Sequence, residues 1–254
     1  MTYRQHIPFY IHKFRDYPWK TYESKHYIFN VEEGSLADKE IELIKSRQEE
    51  AFGKIIHILD LKEPSQKIIY YFYSSRAKKA ELMGDGWYGQ SIYDEFTIHG
   101  VYNEDDKVVG EHEDTHLLTL QLGYPVSFLQ EGIAEAMVGK SMFGNDHDQL
   151  AQDGLRRGLQ VNFEDLIATQ QAWLDTPEEE AEFYYSVSGS FIKYLLETFG
   201  FEKFKKLYEL NSRDNTREAN LEIFKQVYGK QIEALAEDWR KTKSWQAGWE
   251  YEVS

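Results

Sequence analysis

The run His112-Glu113-Asp114-Thr115-His116 constrains this chain more than any other stretch of its 254 residues. Imidazoles at i and i+4 come together only on a helix, where those positions lie one above the other on the same face. So placed, the two rings can grip one metal ion, with Glu113 one position round and within reach of a water on that metal. A metal held this way needs a third protein ligand, and an open fourth position if it is to do chemistry. The fold must therefore bring a second donor-bearing element up to this helix. The chain has no cysteine, so that donor is not a thiolate.

The residues that follow offer such an element. Leu117, Leu118, Leu120 and Leu122 continue an apolar helix that Gly123 stops and Tyr124-Pro125 turns. A second helix then opens near Ser127 and carries Glu131 and Glu135 at i and i+4 on an otherwise apolar surface. Carboxylates on a buried face are costly unless they meet a cation or a hydrogen-bond donor. Glu131 is thus the candidate third ligand. Glu135 is placed to accept the free ring N–H of a ligating histidine, exposure to solvent being the alternative. For the five-residue run taken alone, the competing reading is a solvated helix with two incidental histidines.

Together, His112-Glu113-x-x-His116 and the later Glu131-Gly132-x-Ala134-Glu135 resemble the gluzincin metallopeptidases, the peptidase MA-like group related to thermolysin and the zinc aminopeptidases. The segment Tyr185-Ser186-Val187-Ser188-Gly189-Ser190-Phe191-Ile192-Lys193-Tyr194-Leu195 is similar to that family's Tyr-x-x-x-Gly-Ser-Phe-x-x-Tyr-Leu helix. The resemblance implies a thermolysin-like zincin catalytic fold and Zn2+ bound by His112, His116 and Glu131. It also implies Glu113 as general base and a tyrosine donor to the oxyanion, which maps onto Tyr185, with Tyr184 as the neighbouring alternative. His147 lies in the polar run Gly144-Asn145-Asp146-His147-Asp148, which matches no family segment, and reads as an exposed loop histidine. His99 falls in the strand ahead of the motif. In the family an edge strand there binds the substrate backbone, so His99 either lines the cleft or faces solvent. The Gly-x-Met-Glu-Asn segment by which related aminopeptidases hold a free amine is missing from Thr97 to Glu104, which favours an endopeptidase.

The organisation predicted is α+β: a small N-terminal sheet with helices that carry the HExxH run, followed by an all-helical C-terminal lobe, with a cleft between. Residues 1–20 read as an N-terminal arm, 21–138 as the α+β lobe with both motif helices, and 139–254 as the helical lobe. Strands are expected at Tyr22–Val31, Lys67–Tyr73 and Glu95–Tyr102, from their aromatic and β-branched content. Between the first two, Ile41, Ile44, Ala51, Ile55 and Leu59 repeat with helical period, and Ala77–Met83 forms a short helix ended by Gly84 and Gly86. Beyond a loop at Gly139–Asp148, helices are expected at Gln149–Leu159, Phe163–Thr169, Tyr184–Phe199, Phe201–Leu210, Leu221–Tyr228 and Gln231–Lys243.

Composition narrows the partners. A formal charge of −15 argues against nucleic acid and anionic membranes, because phosphate affinity needs clustered Lys and Arg. No stretch approaches the roughly 18–20 apolar residues of a membrane span. Met1 to Trp19 contains no apolar leader core, which predicts a cytoplasmic protein, a secreted mature form being the alternative. The activity expected is zinc-assisted hydrolysis of a peptide or protein substrate. The competing functions are a zinc- or peptide-binding domain without turnover, and hydrolysis of another amide or ester at the same constellation. Oligomeric state leaves no trace in the sequence.

Overall fold

In the computed structural model, residues 12–141 and 144–247 are described, residues 243–247 by backbone alone. Most of the expected N-terminal arm therefore lies outside the described residues. Packing divides the chain after Thr119 into two compact units.

The first unit is built on one five-stranded sheet in the order β1-β2-β3-β5-β4. The segment read as one strand from Tyr22 is a hairpin: β1 (Lys20–Glu23) and β2 (Tyr27–Val31) pair antiparallel, with the Ser24 amide donating to the Tyr27 carbonyl across the turn. β2, β3 (Ile68–Tyr73) and β5 (Thr97–Val101) run parallel, and β4 (Gly89–Ile92) returns antiparallel along the outer side of β5. Sequence reading missed β4. Gly-Gln-Ser-Ile is four residues long and has a single β-branched side chain, so its strand character comes from its partner.

Side chains alternate across the sheet, as the pleat requires. Tyr27, Phe29, Val31, Ile68, Tyr70 and Phe72 are buried on one face. Helices α1 (Leu36–Lys39) and α2 (Ile41–Ile58) follow β2, and Phe52 of α2 packs edge-on to Tyr27. Burying each such aromatic contributes on the order of 2 kcal/mol. On the opposite face Tyr71, Tyr73 and His99 are covered by Phe14, Trp19 and Leu82, the last from α3 (Arg76–Met83). Ser75 caps the start of α3, and Gly84 at φ +102° ends it, a left-handed geometry that favours glycine. Helix α4 (Glu111–Thr119) closes the unit and packs on α2 and β4. It stops at Thr119, so Leu120 and Leu122 belong to the turn rather than to the helix.

The second unit is helical throughout: α5 (Ser127–Val138), α6 (His147–Arg156), α7 (Phe163–Ala168), α8 (Gln170–Leu174), α9 (Ala181–Phe199), α10 (Phe201–Leu210), α11 (Arg217–Tyr228) and α12 (Ile232–Ala247). Phe128, Phe163, Trp173, Phe191 and Trp239 form its aromatic centre, and the buried Trp239 Nε1 donates to Ser190 Oγ at 3.0 Å. Sequence reading sets a border at residue 138; the division by packing after Thr119 groups α5 with the helical unit. The cause is α5's apolar surface, Phe128, Leu129, Ile133 and Ala134, buried in the contact that α5 makes with α9. Gly132 permits that approach, since a Cβ there would overlap Ile192 and lie 3.0 Å from the Ser188 carbonyl oxygen. Among the described residues, no helix is long and apolar enough to cross a membrane.

Candidate metal centre

The HExxH run forms a helix because its first turn favours acids and its flank supplies the missing partners. Glu111, Glu113 and Asp114 sit where the helix dipole attracts negative charge. The Gly110 amide donates to Gln48 Oε1 of α2, and Lys54 of α2 pairs with Glu111 at 2.5 Å. Asp114 points the other way, into the core. Its carboxylate accepts from the hydroxyls of Tyr27 and Tyr70, the latter at 2.7 Å, and from Gln48 Nε2 at 3.1 Å. Burial raises its pKa to about 7 against the lowering effect of the two tyrosines, and the charges of Glu113 and Glu111 add to the rise. This hub ties α4 to β2, β3 and α2 through a single carboxylate. Sequence reading missed it, because the partners of Asp114 lie 44 to 87 residues away.

The two imidazoles meet with their Nε2 atoms 3.3 Å apart, His116 buried and His112 half-buried. Tyr93, just after β4, lies beside the His116 ring with centroids 6.5 Å apart. Glu113 is half-buried and turned toward β4. Ser91 Oγ lies 2.6 Å from Glu113 Oε2 and 3.1 Å from its carbonyl oxygen. Gly89, two residues earlier on that strand, leaves room for Oε1; a Cβ there would overlap it. Neither Ser91 nor Gly89 was singled out from the sequence. Both lie in the missed strand.

Helix α5 brings the third donor. The side chains of Asn211 and Gln170 accept from the amides of Val126 and Ser127, at 3.1 and 2.9 Å, in place of a cap from the helix itself. Arg213 reaches the same turn, donating to the Pro125 carbonyl at 2.9 Å and to Gln130 Oε1. One turn into this helix stands Glu131. His112, His116 and Glu131 each offer one ligand atom, and the three atoms lie within 4.8 Å of one another, so the group could hold a metal ion.

The remaining site expectations fare unevenly. Glu135, read as the partner of a ligating histidine, is buried with His147 Nε2 2.8 Å from its Oε2. His147 is not an exposed loop residue: it opens α6, is 5% exposed, and sets Nδ1 3.3 Å from Ser186 Oγ of α9. Asp146 caps that helix by accepting from the Gln149 amide, a signal present in the sequence but outweighed by the polar run around it. Nor does His99 reach a cleft or solvent. It is fully buried, stacked on Tyr71 and 2.8 Å from the Tyr73 hydroxyl, and burial holds its pKa well below the usual histidine range. Its strand is interior, and the edge strand beside α4 is β4.

Tyr185 lies in the second turn of α9 rather than at its start, half-buried and edge-on to Trp173. The hydroxyl of Tyr184 donates to the Gln160 carbonyl at 3.2 Å. The sequence matches no protein-family model, and no curated protein matches it.

Proposed function

We propose that this protein is a zinc-dependent peptide hydrolase of endopeptidase type. The observation that carries the reading is the convergence of two imidazole nitrogens and one carboxylate, with a second carboxylate, Glu113, on the same helix turn as the pair. Bonds of about 2.0–2.1 Å in a tetrahedral site separate neighbouring ligand atoms by about 3.3 Å. The 3.3 Å between the two Nε2 atoms suits that geometry. Two nitrogens and one oxygen, with no thiolate, are a donor set that zinc takes in hydrolases.

Held by His112, His116 and Glu131, a zinc ion would supply Lewis acidity and lower the pKa of a water towards neutral. The chain's own residues do the rest. Glu113 takes the water's proton and returns it to the leaving amine, alternating between base and acid. Tyr185 donates its hydroxyl to the oxyanion, a contribution of about a hundredfold in rate. β4, the end strand of the sheet among the described residues, is the strand to which an extended peptide would add, in the way the family resemblance assigned to an edge strand. The net charge of −15 favours basic or neutral peptides over acidic ones.

The test is a mixed peptide library digested by the zinc-loaded chain, with and without chelator. Cleavage that chelator abolishes, and that Glu113→Gln loses while still holding zinc, supports the reading. Zinc binding with no cleavage of any peptide contradicts it and leaves a metal-binding domain without turnover. Tyr185→Phe should slow turnover about a hundredfold with little change in KM. Tyr184→Phe should leave the rate unchanged.

A further inference from the structure

We infer that Ser91 is a positioning residue that fixes which oxygen of Glu113 is available to take a proton, an inference that rests on the hydrolase reading. Ser91 sits on β4, almost wholly buried, with its hydroxyl 2.6 Å from Glu113 Oε2 and 3.1 Å from the Glu113 carbonyl oxygen. A serine hydroxyl has one proton. The shorter contact to a carboxylate, the stronger acceptor, takes it.

Gly89 completes the cradle. Residues i and i+2 of a strand face the same way, so Gly89 and Ser91 project together toward α4. Gly89 is not among the residues with positive φ, so its backbone does not require glycine. Space does. A Cβ at this position would overlap Glu113 Oε1 and come within 2.9 Å of Val108 Cγ1. One oxygen of Glu113 is thus tied by a donor, and the other lies over a gap left by a missing side chain.

This arrangement does more than satisfy a buried polar group. A free glutamate on a helix surface samples several rotamers, and a base that must meet a water on a fixed metal loses rate with each of them. The tether removes that freedom. It also divides the two oxygens: Oε2 spends a lone pair on Ser91, and Oε1 is left as the basic atom. The strand proposed to present substrate therefore also aims the base.

The experiment compares the zinc-loaded wild-type chain with Ser91→Ala, Ser91→Thr and Gly89→Ala. Crystal structures, melting temperature, zinc content and steady-state kinetics on a peptide found in the library are measured for each. Ser91→Ala should keep its zinc and its melting temperature to within a few degrees, lose about tenfold in kcat with KM unchanged, and show the Glu113 carboxylate displaced from β4. Ser91→Thr restores the hydroxyl and should restore kcat. Gly89→Ala, which pushes on Oε1, should cost about a hundredfold. A Glu113 carboxylate that stays in place in Ser91→Ala overturns the inference whatever the rate. So does a displaced carboxylate with unchanged kcat, or a folded Ser91→Thr that remains slow. If wild type holds zinc but cleaves no peptide, the hydrolase reading fails separately, and the crystal structures alone still decide the tether.

Discussion

Helices α4 and α5 carry the three side chains that could hold a metal ion, yet different contacts hold them along their lengths. α4 is fixed by directional polar contacts: Asp114 in the grip of Tyr27, Tyr70 and Gln48, and Gly110 on the same glutamine. α5 has hydrogen bonds from Asn211, Gln170 and Arg213 at its first turn, but along its length it is fixed by shape, with an apolar surface against α9 and glycines where the backbones approach. Even its buried charge follows that pattern: a Cβ on Gly189 would lie 2.7 Å from Glu135 Cβ, so the missing side chain makes room for Glu135 beside His147. Hydrogen bonds set a rotation angle sharply, because they weaken steeply off axis. Packing sets a distance sharply and an angle loosely. The helix that carries the two imidazoles and Glu113 has the first kind of support, and along its length the helix that carries Glu131 has the second.

Four substitutions test that contrast, by urea unfolding of the zinc-free chain. The largest effect is expected for Asp114→Ala, which leaves two buried tyrosine hydroxyls and Gln48 without their acceptor and should cost about 4 kcal/mol. His147→Leu removes the ring nitrogen opposite buried Glu135 and should cost about 3 kcal/mol, with the loss confined to the helical unit. Asp114→Asn should reveal a pH dependence. A carboxyl whose pKa is about 7 in the folded chain and near 4 unfolded binds a proton only when folded over that window, so wild type loses stability as pH rises from 4 to 7. Because the amide does not titrate, the gap between wild type and Asp114→Asn should shift in the variant's favour by about 3 kcal/mol across that range; a constant gap would contradict the hub's protonation. Gly132→Ala should have the smallest effect. Overpacking against Ile192 is partly offset by better helix propensity, for a net loss of about 1 kcal/mol. A Gly132→Ala chain less stable than Asp114→Ala would reverse the contrast.

What could be read in the sequence follows the range of the forces involved. The α+β order and the two motif helices were legible because each rests on a local periodicity or a stop such as Gly123 or Gly139. The convergence of Glu131 with the histidine pair was legible through chemistry: a buried carboxylate one helix after two imidazoles wants a cation. Ser91 and Gly89 were not, since a four-residue strand of weak propensity becomes a strand only by pairing with β5. His147 was misread for a related reason. Its polar neighbours suggested a loop, but its burial depends on Glu135 and Ser186, which the local sequence cannot show. The same holds for His99, hidden by Phe14 from more than 80 residues earlier in the chain.

The most direct test of the account is zinc affinity measured by competition with a calibrated chelator, on wild type and on Glu131→Ala. One zinc per wild-type chain is expected, with an affinity at least about a hundredfold weaker once the carboxylate is removed and the fold intact. Glu131→Ala binding zinc as tightly as wild type would remove Glu131 from the ligand set and contradict the three-ligand site.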